Sequence, residues 1–298
     1  MLSGSRLHWH EGGGATDWLS EPFLHGFQQR ALVGGSLAAV ALALVGTWVV
    51  IRGMSFLGDA LVHGVVPGIA LAVLLDFNVL VGAAAAAVIM IFGIDLVRRQ
   101  TAFSEDTTIG LLFVGMLGLG VILVSRTPAY TGTITNILFG DALGISTSDV
   151  VSSAVVASVA LVASVLLYRP FLVLAFSEQK ARLLGLLPGL AHALLLALIT
   201  VTIVGSFQTV GTLLVLGLLV GPPATAALLV RRVPTIMATA VLIGVISVGT
   251  GLIISFHANT SGSATIAVMP ISLFFIALTV RSIVSRLRRH SVSTQSKT

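Results

Sequence analysis

Apolar runs of roughly one bilayer thickness repeat along the chain, separated by short polar or glycine-bearing breaks. They lie near residues 31–51, 56–75, 79–97, 108–125, 150–168, 190–207, 209–229, 236–256 and 264–281. Each approaches the ~20 residues with which an α-helix crosses a hydrocarbon core. The pattern predicts an all-α, polytopic transmembrane helical bundle of about nine helices, bounded by about eight and ten. The stretch from Leu190 to Val230 sets those bounds. There Gln208 and Gly211 either divide two full spans or leave one half-helix buried in protein. The apolar region, 30–281, is the transmembrane domain. Before it, residues 1–29 read as a polar tail with Gly12, Gly13 and Gly14, followed by an interfacial helix patterned on Trp18, Leu19, Phe23 and Phe27. After it, 282–298 form a basic tail, with disorder expected from Ser291 onward.

Composition agrees with a membrane chain. Of 298 residues, 56% are hydrophobic and only 9% charged, and the mean hydropathy is +1.07. A soluble domain carries roughly 25% charge. No cleavable signal is evident, because the first 25 residues lack a charged start followed by an apolar core. Absence of cysteine excludes disulfides, thiolate ligands and cysteine catalysis. The pI of 10.7 does not indicate nucleic-acid binding, since the basic residues stand at the ends of apolar runs.

Those basic residues orient the chain. With the N-terminus outside, the cytoplasmic segments hold Arg52, the Arg98–Arg99 pair, Arg169, Lys180, Arg182, the Arg231–Arg232 pair and the five basic residues from Arg281 onward. Only Arg6, Arg30 and Arg126 of the sixteen then fall outside. The positive-inside rule therefore favours N-out and C-in.

Candidate chemistry is concentrated in the second run, at Asp59 and His63. Four residues apart on a helix, they share one face and can reach one ligand. A carboxylate and an imidazole suit divalent first-row metals such as zinc, manganese or iron. If the helix starts just after Arg52, Asp59 lies ~10 Å inward and His63 ~16 Å, at 1.5 Å per residue. A charge near the bilayer centre costs roughly 2.5–3.5 kcal/mol on insertion scales, so it usually marks a transport path. The plainer reading is an aspartate near a helix end paired with a neighbouring histidine. Pro67 extends the same stripe and deprives the His63 carbonyl of its helical donor. Gly64 and Gly68 lie on the adjacent stripe at a spacing that allows close helix approach, and are read as packing residues. Two donors do not complete a metal shell. A twofold homodimer would bring a second Asp59 and His63.

Four segments resemble the bacterial zinc/manganese/iron ABC transporter permeases. They are the run from Val50 through Asp59, His63 and Pro67 to Ala70, the run Ser104 to Gly110, the run Leu138 to Gly144, and Phe207 to Leu214 leading into Gly221-Pro222-Pro223-Ala224-Thr225-Ala226. The resemblance covers about residues 27 to 281, in order. It implies an architecture related to the vitamin B12 and siderophore permeases. It also implies a homodimer, two cytoplasmic ATP-binding-cassette ATPase subunits, an extracytoplasmic metal-binding protein and import by alternating access. No permanently bound cofactor is implied; the metal is cargo. By the resemblance, Asp59 and His63 coordinate metal in the channel.

The chain has no G-x-x-x-x-G-K-[ST] motif, so it is not expected to hydrolyse ATP itself. In the loop 169–189, Ser177 can cap a short helix, Glu178 suits its positive end and Gly185 can stop it. On the residues alone this is either an ATPase-docking element or an amphipathic loop lying on the membrane. The unit from Phe176 to Gly185 resembles the family's coupling helix, which would present Ala181, Leu184 and the flanking charges to an ATPase groove. Gly221, Pro222 and Pro223 are expected to break a helix at depth, as a hinge or close-packed bend. His257 is placed in an outer loop, solvated or meeting incoming metal. His8 and His10 are placed in a solvated tail, while His192, Glu105 and Asp106 are read as structural. Asp141 suits either a cap or docking of the binding protein.

Manganese is slightly preferred as cargo over zinc and iron, because no soft ligand stands near the pair. The competing functions are a gradient-driven metal carrier and an ABC permease for a metal chelate. A membrane metalloprotease is disfavoured, because H-E-x-x-H is absent.

Overall fold

The computed structural model describes residues 18, 20–125, 144–176 and 187–295, and among them all regular structure is helical. A single 3-10 turn, Glu21–Leu24, precedes α1 (Gly26–Ile51). Then come α2 (Ser55–Gly64), α3 (Val66–Leu74), α4 (Val79–Gln100) and α5 (Glu105–Ser125). They are followed by α6 (Thr147–Leu166), α7 (Tyr168–Phe176), α8 (Pro188–Val210), α9 (Thr212–Leu229), α10 (Val233–Ala258) and α11 (Gly262–Gln295). With α2 and α3 taken together as one span, nine helical segments among the described residues are long and apolar enough to cross a membrane.

Local chemistry sets the boundaries. The Asn78 side chain accepts from the Leu80 and Val81 N–H groups at 2.8 and 3.4 Å, capping α4. Ser146 and Asp149 exchange backbone and side-chain hydrogen bonds at the start of α6, forming a capping box. Gly53, at φ +69, makes the turn from α1 to α2. Gly211, at φ 78 and ψ 167, separates α8 from α9. Leu190–Val230 is therefore two helices, with the division at the glycine.

α1 is the central helix and packs against α6, α8, α9 and α10. Ala39, Ala41, Leu42, Val45 and Trp48 along it are fully buried, and Trp48 meets Tyr168 and Phe171 edge-on. The rim is different: 72% of the most apolar window of α1 is buried, but only 17% of that of α5. Three long-range hydrogen bonds agree with alternating spans. Arg30 Nε donates to the Ile145 carbonyl at 3.0 Å, tying the starts of α1 and α6. At the opposite end, Arg52 Nη1 lies 3.1 Å from His192 Nδ1, and Arg281 Nη1 donates to the Leu228 carbonyl at 2.7 Å.

Several sequence expectations are corrected. The second run is two helices, because Pro67 cannot donate to His63 and the chain turns at Val65. Gly221-Pro222-Pro223 does not break a helix: α9 runs through both prolines. Pro223 leaves the Leu219 carbonyl without its helical donor, and that carbonyl lies against the α-carbon of Gly46, where any side chain would collide with it. Gly221 lies against Pro270 of α11 in the same way, 2.9 Å from where a β-carbon would meet its ring. Of the two readings, the close-packed one describes this segment. His257 is not in a loop, because α10 continues to Ala258 and stops at Asn259, which adopts left-handed backbone at φ 50. In the described part of 1–29, Trp18 and Ser20 are helical, the 3-10 turn Glu21–Leu24 follows, and α1 starts at Gly26 after the extended His25. α11 continues past the apolar span to Gln295, so helix replaces the disorder expected from Ser291 up to that residue.

Gly211 occupies backbone space that only glycine visits freely. Gly211→Ala is expected to lower stability by about 1–3 kcal/mol. Gly189→Ala, a position with nothing within 4 Å of the added carbon, should leave stability unchanged. Thermal unfolding of the two variants in one detergent compares them directly.

Candidate metal site in the second span

Asp59 and His63 stand on successive turns of α2, with His63 Nε2 3.5 Å from Asp59 Oδ1. Two donors each ~2.1 Å from a tetrahedral ion are about 3.4 Å apart. The pair is thus spaced to share one ion with little adjustment. The side chains are 27% exposed at His63 and 36% at Asp59, so both open onto the outside of the single chain. A groove of about 870 Å³ between α4 and α8 includes neither of them.

The sequence reading singled out Gly64, Pro67 and Gly68 but missed the partners that position this helix. Phe113 of α5 sits edge-on to His63, with ring centroids 6.0 Å apart, and Phe56 packs on Phe113 in turn at 5.7 Å. Gly58, beside Asp59, lies against the Leu219 side chain of α9. Gly64 lies against the Met90 sulfur of α4. Gly68 and Gly82 lie against each other's carbonyl oxygens, which closes α3 onto α4 backbone to backbone. Pro67 is crossed by Gly120 of α5, whose β-carbon position is 3.3 Å from the proline nitrogen. At the break, the Val65 N–H is shared between the Leu61 and His63 carbonyls. These are the signals that the G-x-x-x-G spacing could have flagged, but only the fold names the partners.

Among the described residues, no three His, Asp or Glu side chains gather in one place. One chain therefore brings two donors. Of the other residues singled out in the sequence, Phe176 ends α7, while Ser177, Glu178, Ala181, Leu184, Gly185 and Asp141 lie outside the described residues, as do His8 and His10. His192 stands in the second turn of α8, bonded to Arg52. His257 is half-buried: its Nδ1 is 3.0 Å from the Ile253 carbonyl and its ring lies 4.4 Å from that of Trp18. Its Nε2 is shielded from solvent, so the ring meets Trp18 before it meets anything in the outer medium.

Comparison with known proteins places this geometry in a family. The sequence pattern of the ABC 3 transport family matches residues 25–281. A probable iron transport system membrane protein of Haemophilus influenzae is 33% identical over 262 residues, covering 88% of this chain and 96% of that one. The manganese transport system membrane protein MntC of Listeria innocua is 32% identical over 253 residues, covering 85% and 90%. Among solved structures, PsaBC from Streptococcus pneumoniae in complex with Fab superposes with a TM-score of 0.78 at 27% identity, covering 89% of this chain and 95% of that one.

The glycines around the site separate into two kinds. A β-carbon at Gly64 meets the end of a flexible methionine, whereas one at Gly68 meets the Gly82 backbone. Gly68→Ala is expected to cost about 1–3 kcal/mol of stability, and Gly64→Ala clearly less. Thermal unfolding in detergent ranks the two; equal losses would contradict the packing described.

Proposed function

The chain belongs to the ABC 3 transport family, and from that premise we propose that it is the membrane-spanning permease subunit of an ATP-driven importer of divalent metal ions. Manganese is the preferred cargo, ahead of zinc and iron. Relatives named for manganese and for iron transport support that range, and the oxygen and nitrogen donors on α2 suit all three ions.

One observation carries the reading: Asp59, more than a third exposed in the single chain, sits on a span long and apolar enough to cross a membrane. Left against lipid, an ionised carboxylate is penalised; covered by a second copy of this chain, it joins another carboxylate and two imidazoles. In the assembled permease, Asp59 and His63 of each copy hold the passing ion. The Asp59 carboxylate supplies charge to offset the ion's lost hydration. Phe113 keeps the His63 ring turned toward the path, and the packing of Gly58, Gly64 and Gly68 keeps α2 and α3 from sliding.

ATP hydrolysis belongs to a separate cytoplasmic ATPase dimer, which engages the segment Phe176 to Gly185. That segment feeds directly into α8, whose start is bonded to the end of α1 through His192 and Arg52. A push on it would therefore reach the central helix and, across Gly53, the metal-bearing α2. An extracytoplasmic metal-binding protein delivers the ion on the side of the N-terminus. Arg52, Arg98, Arg231 and Arg281 mark the cytoplasmic side.

Radiotracer uptake tests this in cells lacking their own importers, with the chain expressed beside its ATPase and binding protein. Uptake of manganese is expected to exceed that of zinc and iron, and to stop when the ATPase is inactivated. Asp59→Asn and His63→Ala should each lower uptake at least about tenfold while membrane expression is retained. Uptake that persists with a dead ATPase would identify a gradient-driven carrier. Normal uptake in either variant would remove the pair from the metal path.

A further inference from the structure

A second site lies far from the metal pair along the chain, where α9 and α11 part company. The two helices touch closely at Gly217 against Ala267 and at Gly221 against Pro270. Beyond that contact a groove of about 620 Å³ opens toward the end of α9. Its floor is apolar: Leu228, Leu229 and Ile243 on one side, and a stripe of α11 formed by Leu273, Ile276, Ala277, Val280 and Val284 on the other. Those spacings put the stripe on one helix face. From Leu273 to Arg281 it runs about 12 Å along the axis at 1.5 Å per residue.

Two arginines stand at the groove, Arg231 from the α9–α10 turn and Arg281 from α11. Arg281 donates to the Leu228 carbonyl at 2.7 Å, satisfying one of the carbonyls left over in the last turn of α9. That bond holds the guanidinium at the mouth of the groove and leaves its other N–H groups for an outside acceptor. Both arginines are exposed, and among the described residues no carboxylate lines the groove.

We propose that this groove binds one anionic phospholipid, its phosphate held by Arg231 and Arg281 and one acyl chain lying along the Leu273–Val280 stripe. The charge argument selects this occupant. A second copy docked by this same face would bring two more arginines to it. A zwitterionic lipid would bring an ammonium beside two guanidiniums. A basic pocket between membrane helices beside an apolar slot matches a headgroup with its tail. The positive-inside orientation puts the site in the cytoplasmic leaflet, where a bound lipid would brace the end of α9 against α11.

Native mass spectrometry of the full-length protein released from detergent tests the site, with phosphatidylglycerol and phosphatidylcholine as competing probes. One phosphatidylglycerol per chain is expected to be retained in preference to phosphatidylcholine. Arg231→Gln with Arg281→Gln should weaken retention about thirtyfold, at roughly fivefold for each cation lost near a membrane surface. Ala277→Trp, which fills the slot and leaves both arginines, should also abolish retention. Equal retention of the two lipids, or retention unchanged in both variants, would overturn the proposal. So would displacement of the lipid by millimolar inorganic phosphate, which would show a free-anion site with no use for the slot. None of these outcomes depends on metal uptake, so the site stands or falls apart from the transport reading.

Discussion

The Leu219 carbonyl is the contact on which much of this bundle depends. Pro223 leaves it without a helical donor, in a solvent where an unpaired backbone group costs several kcal/mol. It is met by the α-carbon of Gly46, so α1 can pass at backbone distance and seal the carbonyl from lipid. A weak Cα–H···O contact adds a little attraction, but exclusion of a side chain at position 46 is the firmer requirement. The same residue reaches further, because the Leu219 side chain lies against Gly58, next to Asp59. One residue of α9 thus contacts both the central helix and the helix that carries Asp59 and His63.

Proline facing glycine recurs at three crossings. Pro223 and Leu219 meet Gly46, Pro270 meets Gly221, and Pro67 meets Gly120. In each, a proline removes a backbone donor and a glycine from another helix comes close to the altered turn. Apolar side chains gain little from choosing one another over lipid, so small residues and close backbones supply the specificity. This also explains why α9 stays helical through two consecutive prolines. The partners α1, α10 and α11 wrap it, and Gly221, Pro222 and Pro223 are all buried.

The Asp59–His63 pair obeys a different constraint. Elsewhere in the bundle polar groups are mostly satisfied inside their own helix, as Thr47, Thr200 and Thr225 are by the carbonyl one turn earlier. Among the described residues, Asp59 and His63 have only each other as polar side-chain partners, and both remain partly open. Under the proposed function, a partly exposed pair of this kind is complete only when something covers it. The proposed twofold assembly supplies the cover and the missing ligands together.

The sequence by itself determined the class, the spans and the pair. Run length against bilayer thickness set about nine crossings, between eight and ten, and left Leu190–Val230 open until the fold showed two helices divided at Gly211. Asp59 and His63 were legible because ionisable groups are rare where burial is in lipid, and their spacing of four residues needs no tertiary knowledge to put them on one face. Tertiary structure alone decided what the glycines and prolines meant. Gly221-Pro222-Pro223 reads as a break in a lone helix and proved to be a continuous, close-packed one, because neighbouring helices take up what the prolines lose. His257 reads as a loop residue, but the last turn of α10 and the ring of Trp18 claim it. Phe113, Met90 and Leu219 carry no sequence mark that sets them apart from dozens of other apolar residues. Their roles arise from which helix crosses which, and that is settled by packing over long separations in the chain, where a local pattern carries no information.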